Sequence, residues 1–325
     1  MKKENVAILT SGGDAPGMNA FISYFYKLCK PTNINLWKVS FGYQGLISDH
    51  IYRLSNSDII GSEFLGGSVL KTGRSEEFKT SSGFKKAVEN LKSKNINTIV
   101  VIGGNGSFLG AKKLYGKGLN VIFIPATIDN DLGFTESSLG FDTAVQNNTD
   151  VIDKLKQTML ASNKGYIVEV MGRNSGNIAL KTAISSSVQD VLIHEFEKSF
   201  DDILIKIKKT IENGVESPGI VITENQIDIE TLSKYLESNL KKEFRIVSLG
   251  HIQRGGAPTA NDRMLAFMFA IKTFKKISKY DLEKSGVMAY INSDIKNFDF
   301  SEISSKDLKS KINKEFYKLF QFKNL

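Results

Sequence analysis

Cysteine is nearly absent from this sequence. Cys29 is the only one in 325 residues, so neither an intrachain disulfide nor a thiolate metal cluster can form. That usage suits a reducing, cytoplasmic compartment. Long apolar runs are also missing: none approaches the roughly 18 residues needed to span a bilayer, so no membrane partner is expected. Near the amino terminus only Val6-Ala7-Ile8-Leu9 is continuously apolar, which is too short for a signal-peptide core. There is no Pro/Ser-rich linker and no low-complexity tract. The formal net charge is +8, and +5 of it falls in Leu265–Leu325, where 12 Lys stand against 7 Asp or Glu. Those lysines are interleaved with acids and accompany no binding motif. They read as a solvated helical surface, and nucleic acid is not an expected partner. A smaller positive excess near a site would suit anionic, phosphorylated substrates.

The remaining composition is that of a soluble globular protein, with 41% hydrophobic and 24% charged residues. At this length two domains are expected. Short apolar strands alternate with helical segments: Asn5–Thr10, Leu36–Ser40, two strands within Thr98–Gly133, Tyr166–Met171, Val191–Ile193, Gly219–Thr223 and Arg245–Leu249. Ser82 can cap a helix in which Phe84, Ala87, Val88 and Leu91 recur at helical spacing. A long helix carries Ala144, Val145, Ile152, Leu155 and Met159, and the domain change is placed just before it, near Leu139–Gly140. The pattern predicts a doubly wound α/β architecture: two Rossmann-like α/β domains facing each other across an active-site cleft.

The polar turns after these strands carry the chemistry, because parallel sheets bind ligands just past their carboxyl ends. Ser11-Gly12-Gly13-Asp14, followed by a helix with Pro16 near its first turn, offers free backbone N–H groups to an anion. Gly103-Gly104-Asn105-Gly106-Ser107 repeats the arrangement. Thr127-Ile128-Asp129-Asn130-Asp131 ends the next strand in carboxylates. A phosphate cradle beside a general base is the organising pair. Tyr43 is either a stacking platform for a base or a packed aromatic. Arg74, in a glycine-broken segment, is a candidate clamp on a transferring phosphate. Glu224 ends a strand, and Arg245, His251 and Arg254 could make a cationic pocket for a second phosphate or be plain surface.

These residues resemble a known family, the ATP-dependent 6-phosphofructokinases of bacterial type. The resemblance covers most of the chain. It rests on LTSGGDAPGMNA (Leu9–Ala20), FGYQGL (Phe41–Leu46), VVIGGNGS (Val100–Ser107), PATIDND (Pro125–Asp131), IVEVMGR (Ile167–Arg173) and LGHIQRGGAPTANDR (Leu249–Arg263). It implies an ATP-binding domain of residues 1–138 plus 251–304 and a sugar-phosphate domain of 139–250 plus 305–325, in a homotetramer with shared active sites. ATP would be held by Gly13, Tyr43, Arg74, Ser75, Gly104, Asn105, Gly106, Ser107 and Gly110, with Mg2+ as its cofactor. Asp129 would be the general base for the 1-hydroxyl of fructose 6-phosphate, with Thr127 and Asp131 at the sugar and Arg74 and Arg173 countering phosphoryl charge. Met171, Gly172, Arg173 and Glu224 would line the sugar. His251 and Arg254 would hold its 6-phosphate, with Lys164 and Arg245 supplied by a neighbouring subunit.

The sequence departs from that family in three places. Asn105 stands where the family has an aspartate for magnesium, which removes a negative charge from a hard-cation site. Lys164 replaces an arginine, so the charge survives without the bidentate fork. The family's effector pocket falls on Ser23, Lys27, Lys156, Gln189, Asn213 and Val215, which predicts weak or absent activation by ADP and inhibition by phosphoenolpyruvate. Gly106 and Ala126 are small where pyrophosphate-using relatives carry an aspartate and a lysine, which favours ATP. Two other readings compete. One is a weak or silent paralogue acting as a binding or regulatory subunit, suggested by Asn105. The other is a dinucleotide-dependent oxidoreductase, disfavoured because Ile124-Pro125-Ala126-Thr127 has no acidic residue at the end of the next strand.

Overall fold

In a computed structural model, residues 4–278, 284–309 and 311–323 are described. The elements follow in the order β1 (Glu4–Thr10), α1 (Met18–Cys29), β2 (Ile34–Val39), α2 (Gly42–Ile47), β3 (Ile51–Arg53), α3 (Asn56–Ile59), α4 (Ser81–Ser93), β4 (Thr98–Gly103), α5 (Asn105–Tyr115) and β5 (Asn120–Pro125). After α6 (Phe141–Ser162) come β6 (Gly165–Val170), α7 (Asn177–Ser185), β7 (Asp190–Leu192), α8 (Phe200–Glu212), β8 (Gly219–Thr223), α9 (Ile229–Leu240) and β9 (Phe244–Ser248). The chain closes with α10 (Ala260–Ser278), β10 (Gly286–Ile291), β11 (Asp294–Phe298) and α11 (Lys314–Lys323). No helix among the described residues is long and apolar enough to cross a membrane.

Two compact units result. The first is Met1–Ile128, Leu132–Thr143 and Arg254–Lys309; the second is Asp129–Asp131, Ala144–Gln253 and Ser310–Leu325. The change of unit falls inside α6, past Leu139–Gly140, and the cause is Asp262. Its carboxylate accepts the Gly140 and Thr143 N–H groups, each at 2.9 Å, and the Thr143 hydroxyl at 2.5 Å, so the first turn of α6 stays with the first unit. Burial pushes the Asp262 carboxyl up to about 6, while the donors from Thr143 and Gly140 oppose that rise.

The first unit holds a seven-stranded sheet in the order β11-β10-β5-β4-β1-β2-β3. Its centre is parallel, and antiparallel strands close each edge. Val6–Thr10 and the whole of β4 are buried, as expected of central strands covered on both faces. The sheet reverses direction of winding between β1 and β4, and their carboxyl ends, Thr10 and Ile102, are paired neighbours. That is the switch point at which open α/β sheets bind ligands. The second unit holds a parallel sheet in the order β7-β8-β6-β9, over a core that includes Ile167, Ile207, Ile222 and Leu236.

One local expectation changes, and two elements are new. The cap of α4 is Thr80, whose hydroxyl accepts from the Gly83 N–H, and Ser82 lies inside the helix. The FGYQGL stretch forms the short helix α2. The hairpin of β10 and β11, absent from the sequence reading, adds two strands beyond β5.

Candidate functional site

In the first unit, three segments converge at the β1/β4 switch point. Gly12, at φ +86°, turns the chain after β1, and its N–H donates to the Gly73 carbonyl at 3.4 Å. The Thr10 hydroxyl donates to the Lys71 carbonyl at 2.9 Å, tying the loop that carries Arg74 to the end of β1. Ser75 accepts from the Phe78 N–H at 3.1 Å and donates to the Gln44 side chain at 2.7 Å. Arg74 itself is exposed and makes no ion pair among the described residues. The third segment is the turn after β4. A Cβ on Gly103 would lie 2.5 Å from the Ser11 carbonyl oxygen, so the two glycine turns touch and only hydrogen fits there.

Helix α5 rises from that turn. Its N-cap residue is Gly104, which has no side chain to cap it, and its first turn has no acid. The positive dipole end of the helix therefore suits an anion. Ser107 is buried, and its hydroxyl has no hydrogen-bond partner among the described residues. Gly106 is exposed, with open space where a Cβ would project. The Thr127 side chain lies beneath Gly104, 3.3 Å from where a Cβ would be. Of the two roles open to Tyr43, the geometry gives the packed one. Its ring stacks on Phe78 with centroids 4.2 Å apart, and its hydroxyl donates to the Ser107 carbonyl at 2.6 Å. Gly110 has to be glycine because that ring occupies its Cβ position, 2.4 Å away. Tyr43 shapes the start of α5 from below instead of offering an open face.

In the second unit, Asp129 is 2% exposed, and its carboxylate lies 3.6 Å from the Arg173 guanidinium, which is half exposed. The Asn130 carbonyl accepts from the Asn177 side chain at 2.8 Å, fixing the turn between Asp129 and Asp131 to the start of α7. Past β6, Gly172 at φ +149° and Arg173 at φ +54° make a strained turn. Glu224 at the end of β8 holds it: one carboxylate oxygen accepts the Gly172 and Arg173 N–H groups at 3.3 and 3.0 Å. Gln253 accepts the Met171 N–H at 3.2 Å. Met171, Gly172, Arg173 and Glu224 thus sit on loops at the carboxyl ends of β6 and β8, while Asp129 comes from the turn after β5. His251 is exposed in the 3-10 turn Gly250–Arg254.

Lys164 and Arg245 lie elsewhere. Both pair with Glu243, at 2.6 and 2.7 Å, where β6 and β9 begin. The hydrogen bond from Lys164 and the nearby Arg245 charge hold the Glu243 carboxyl below its ordinary range. These cations are separated from Met171 by the six residues of β6, or about 20 Å. One anion therefore cannot touch both ends of this sheet.

Sequence reasoning missed Gln253, Asn177 and Asp262, polar side chains that position the site loops. Gln253 and Asp262 lie inside the Leu249–Arg263 motif and Asn177 just past the Gly172–Gly176 turn, but their partners are distant in sequence. The fold and these loops together define an α/β protein with glycine turns at a sheet switch point and a carboxylate–guanidinium pair. Residues 5–277 match the sequence model of the family described as Phosphofructokinase, and the chain belongs to that family. It is 37% identical over 321 residues to the ATP-dependent 6-phosphofructokinase of Clostridioides difficile (strain 630), covering 97% of this chain and 98% of that one. It is 35% identical over 321 residues to the enzyme of the same description from Natranaerobius thermophilus, covering 99% and 98%. Among solved structures, a Pichia pastoris phosphofructokinase in the T-state superposes with a TM-score of 0.91 at 26% identity. That match covers 100% of this chain and 39% of the longer one.

Proposed function

We propose that this protein is an ATP-dependent 6-phosphofructokinase, transferring a phosphoryl group from MgATP to the 1-hydroxyl of fructose 6-phosphate to give fructose 1,6-bisphosphate and ADP. The observation that carries the reading is the buried Asp129 carboxylate, 3.6 Å from the Arg173 guanidinium. A carboxylate can take the hydroxyl proton, and the guanidinium can offset charge on the transferring group. Arg74 adds a second counter-charge. Thr127 and Asp131 meet the sugar with Asp129, and Met171, Gly172 and Glu224 line it. ATP lies on the Gly13 turn and on the start of α5, from Gly104 through Ser107, with Arg74, Ser75, Tyr43 and Gly110 shaping its bed.

Magnesium reaches this site on the ATP phosphates. Among the described residues no three His, Cys, Asp or Glu side chains cluster as metal ligands. Asn105 and the buried Ser107 hydroxyl are neutral oxygen ligands carried by the cradle turn, and they fit a partly hydrated ion. Purified protein with ATP, magnesium and fructose 6-phosphate should therefore form fructose 1,6-bisphosphate. Asn105→Asp should lower the magnesium concentration at half-maximal rate by about tenfold, the scale of one restored charge contact of roughly 1.4 kcal/mol. If neither protein makes product the kinase reading falls. If only the variant does, the chain is a silent paralogue whose Asn105 disables the site.

His251 and Arg254 hold the 6-phosphate, completed by Lys164 and Arg245 of a neighbouring copy in a cytoplasmic homotetramer. The spacing across β6 supports this, because those two cations stand at the wrong end of the sheet for their own chain's sugar. Exposed Phe64, Leu65, Met264 and Phe267 in the first unit supply apolar surface for assembly. Glu243 competes with the phosphate for both cations. Glu243→Gln is expected to lower the KM for fructose 6-phosphate by about threefold, with the gain fading in high salt. A raised KM would show that Glu243 orients the cations instead.

Activation by ADP and inhibition by phosphoenolpyruvate are weak or absent. Lys27 is already paired with Glu63 at 2.8 Å, and the Gln189 side chain accepts the Gly219 N–H at 2.7 Å. A sigmoidal response to fructose 6-phosphate relieved by ADP would refute this.

A further inference from the structure

The first glycine turn contains a feature that anion binding does not require. Gly12 takes the positive φ of that turn, whereas Gly13 is not among the glycines with positive φ. Backbone conformation therefore leaves Gly13 free to be another residue. Space does not. A Cβ at Gly13 would lie 2.4 Å from Nη1 of Arg254 and 3.1 Å from its Cζ. The guanidinium occupies the place of a side chain on residue 13. From there Nη1 donates to the Asp14 carbonyl at 3.1 Å. The chain beyond Arg254 is also anchored: a Cβ on Gly66 would lie 2.5 Å from the Gly256 carbonyl, and Asn19 of α1 donates to the Gly66 carbonyl at 3.0 Å. The arginine is thus held against the donor turn from both sides, with most of its five N–H donors left over.

We infer that Gly13 is an acceptor-side determinant: its missing side chain is the seat of Arg254, so the turn that receives the donor's phosphates also sets the position of a cation for the sugar 6-phosphate. This rests on the kinase reading above. The coupling runs both ways, because displacing the arginine frees the Asp14 carbonyl and loosens the donor turn. The three atoms nearest a methyl group at residue 13 all belong to the far end of the flexible Arg254 side chain, so Gly13→Ala should fold normally and act first on Arg254.

The test is a double-mutant cycle on binding of fructose 6-phosphate without nucleotide, using the full chain, Gly13→Ala, Arg254→Ala and the double variant. Gly13→Ala is expected to weaken sugar binding about tenfold, the scale of one charge-assisted contact. It should have no further effect once Arg254 is alanine. Sugar binding within twofold of the parent, or an undiminished effect of Gly13→Ala in the Arg254→Ala background, would overturn the inference. A crystal structure of Gly13→Ala decides it without substrate. A guanidinium moved off the Asp14 carbonyl supports the seat, and an unmoved one refutes it. If the parent protein binds no fructose 6-phosphate, the kinase reading fails and that structure alone decides the seat.

Discussion

Replacing Asp129 with Asn is expected to lower kcat by about two to four orders of magnitude, the range attributed to a positioned general base. The KM for fructose 6-phosphate should stay within about threefold, because the amide keeps the shape of the carboxylate and most contacts to the sugar come from other groups. Fold stability should change little. Arg173 loses its partner at 3.6 Å, but its side chain is 48% exposed, so water can solvate it. Initial rates at saturating MgATP give both parameters. A kcat within tenfold of the parent would remove Asp129 from the role of base and move attention to Asp131.

The second large effect concerns stability. Asp190 is fully buried, and one of its carboxylate oxygens accepts from Lys198 at 2.5 Å, Lys206 at 3.0 Å and the Val191 N–H at 2.9 Å. Both lysines are largely buried and also donate to the Gln321 side chain of α11. Asp190→Ala would strand two ammonium groups with only neutral acceptors, the Gln321 side chain and the Val191 carbonyl. Breaking a buried ion pair from one side typically costs about 3–5 kcal/mol, and urea denaturation should show a loss of that size. The cost should shrink at alkaline pH. Burial lowers the Lys206 pKa below its ordinary 10.5, with the Asp190 charge opposing the shift. Between its folded-state pKa and 10.5 the unfolded chain binds more protons, so stability rises with pH there. Adding Lys206→Met should recover part of the loss. An Asp190→Ala protein as stable as the parent would mean that Gln321 and water suffice for both lysines.

Much of this fold was legible because its central strands are buried on both faces. Apolar runs mark β1, β4 and β8, β6 is apolar except for Glu169, and the sequence boundaries of β6 and β8 agree with the observed ones to within a residue. The β10–β11 hairpin was not legible. Its two-residue turn, Asn292-Ser293, has both residues at positive φ but no glycine, and glycine is the usual flag for such a turn. The cap of α4 was ambiguous because Thr80, Ser81 and Ser82 are all capping types. The choice depends on which one adopts an extended backbone, and Thr80 does. At the site, the glycine turns and the carboxylate turn could be read because strand ends in a parallel sheet have fixed roles. The linkage of Lys164 and Arg245 through Glu243 could not, because it depends on β6 and β9 being neighbours. Nor could the burial of Tyr43, which depends on Gly110 lying above it.

The placement of Lys164 and Arg245 has a genetic consequence. On the proposed reading, each sugar site draws its base from one copy and part of its phosphate grip from another. Two defective alleles, one carrying Asp129→Asn and the other Arg245→Ala, would each encode an inactive or impaired enzyme. Mixed assemblies would contain some sites built from the sound half of each. Co-expression should restore a fraction of the activity that neither allele has alone, and a strictly self-contained active site would give no such complementation.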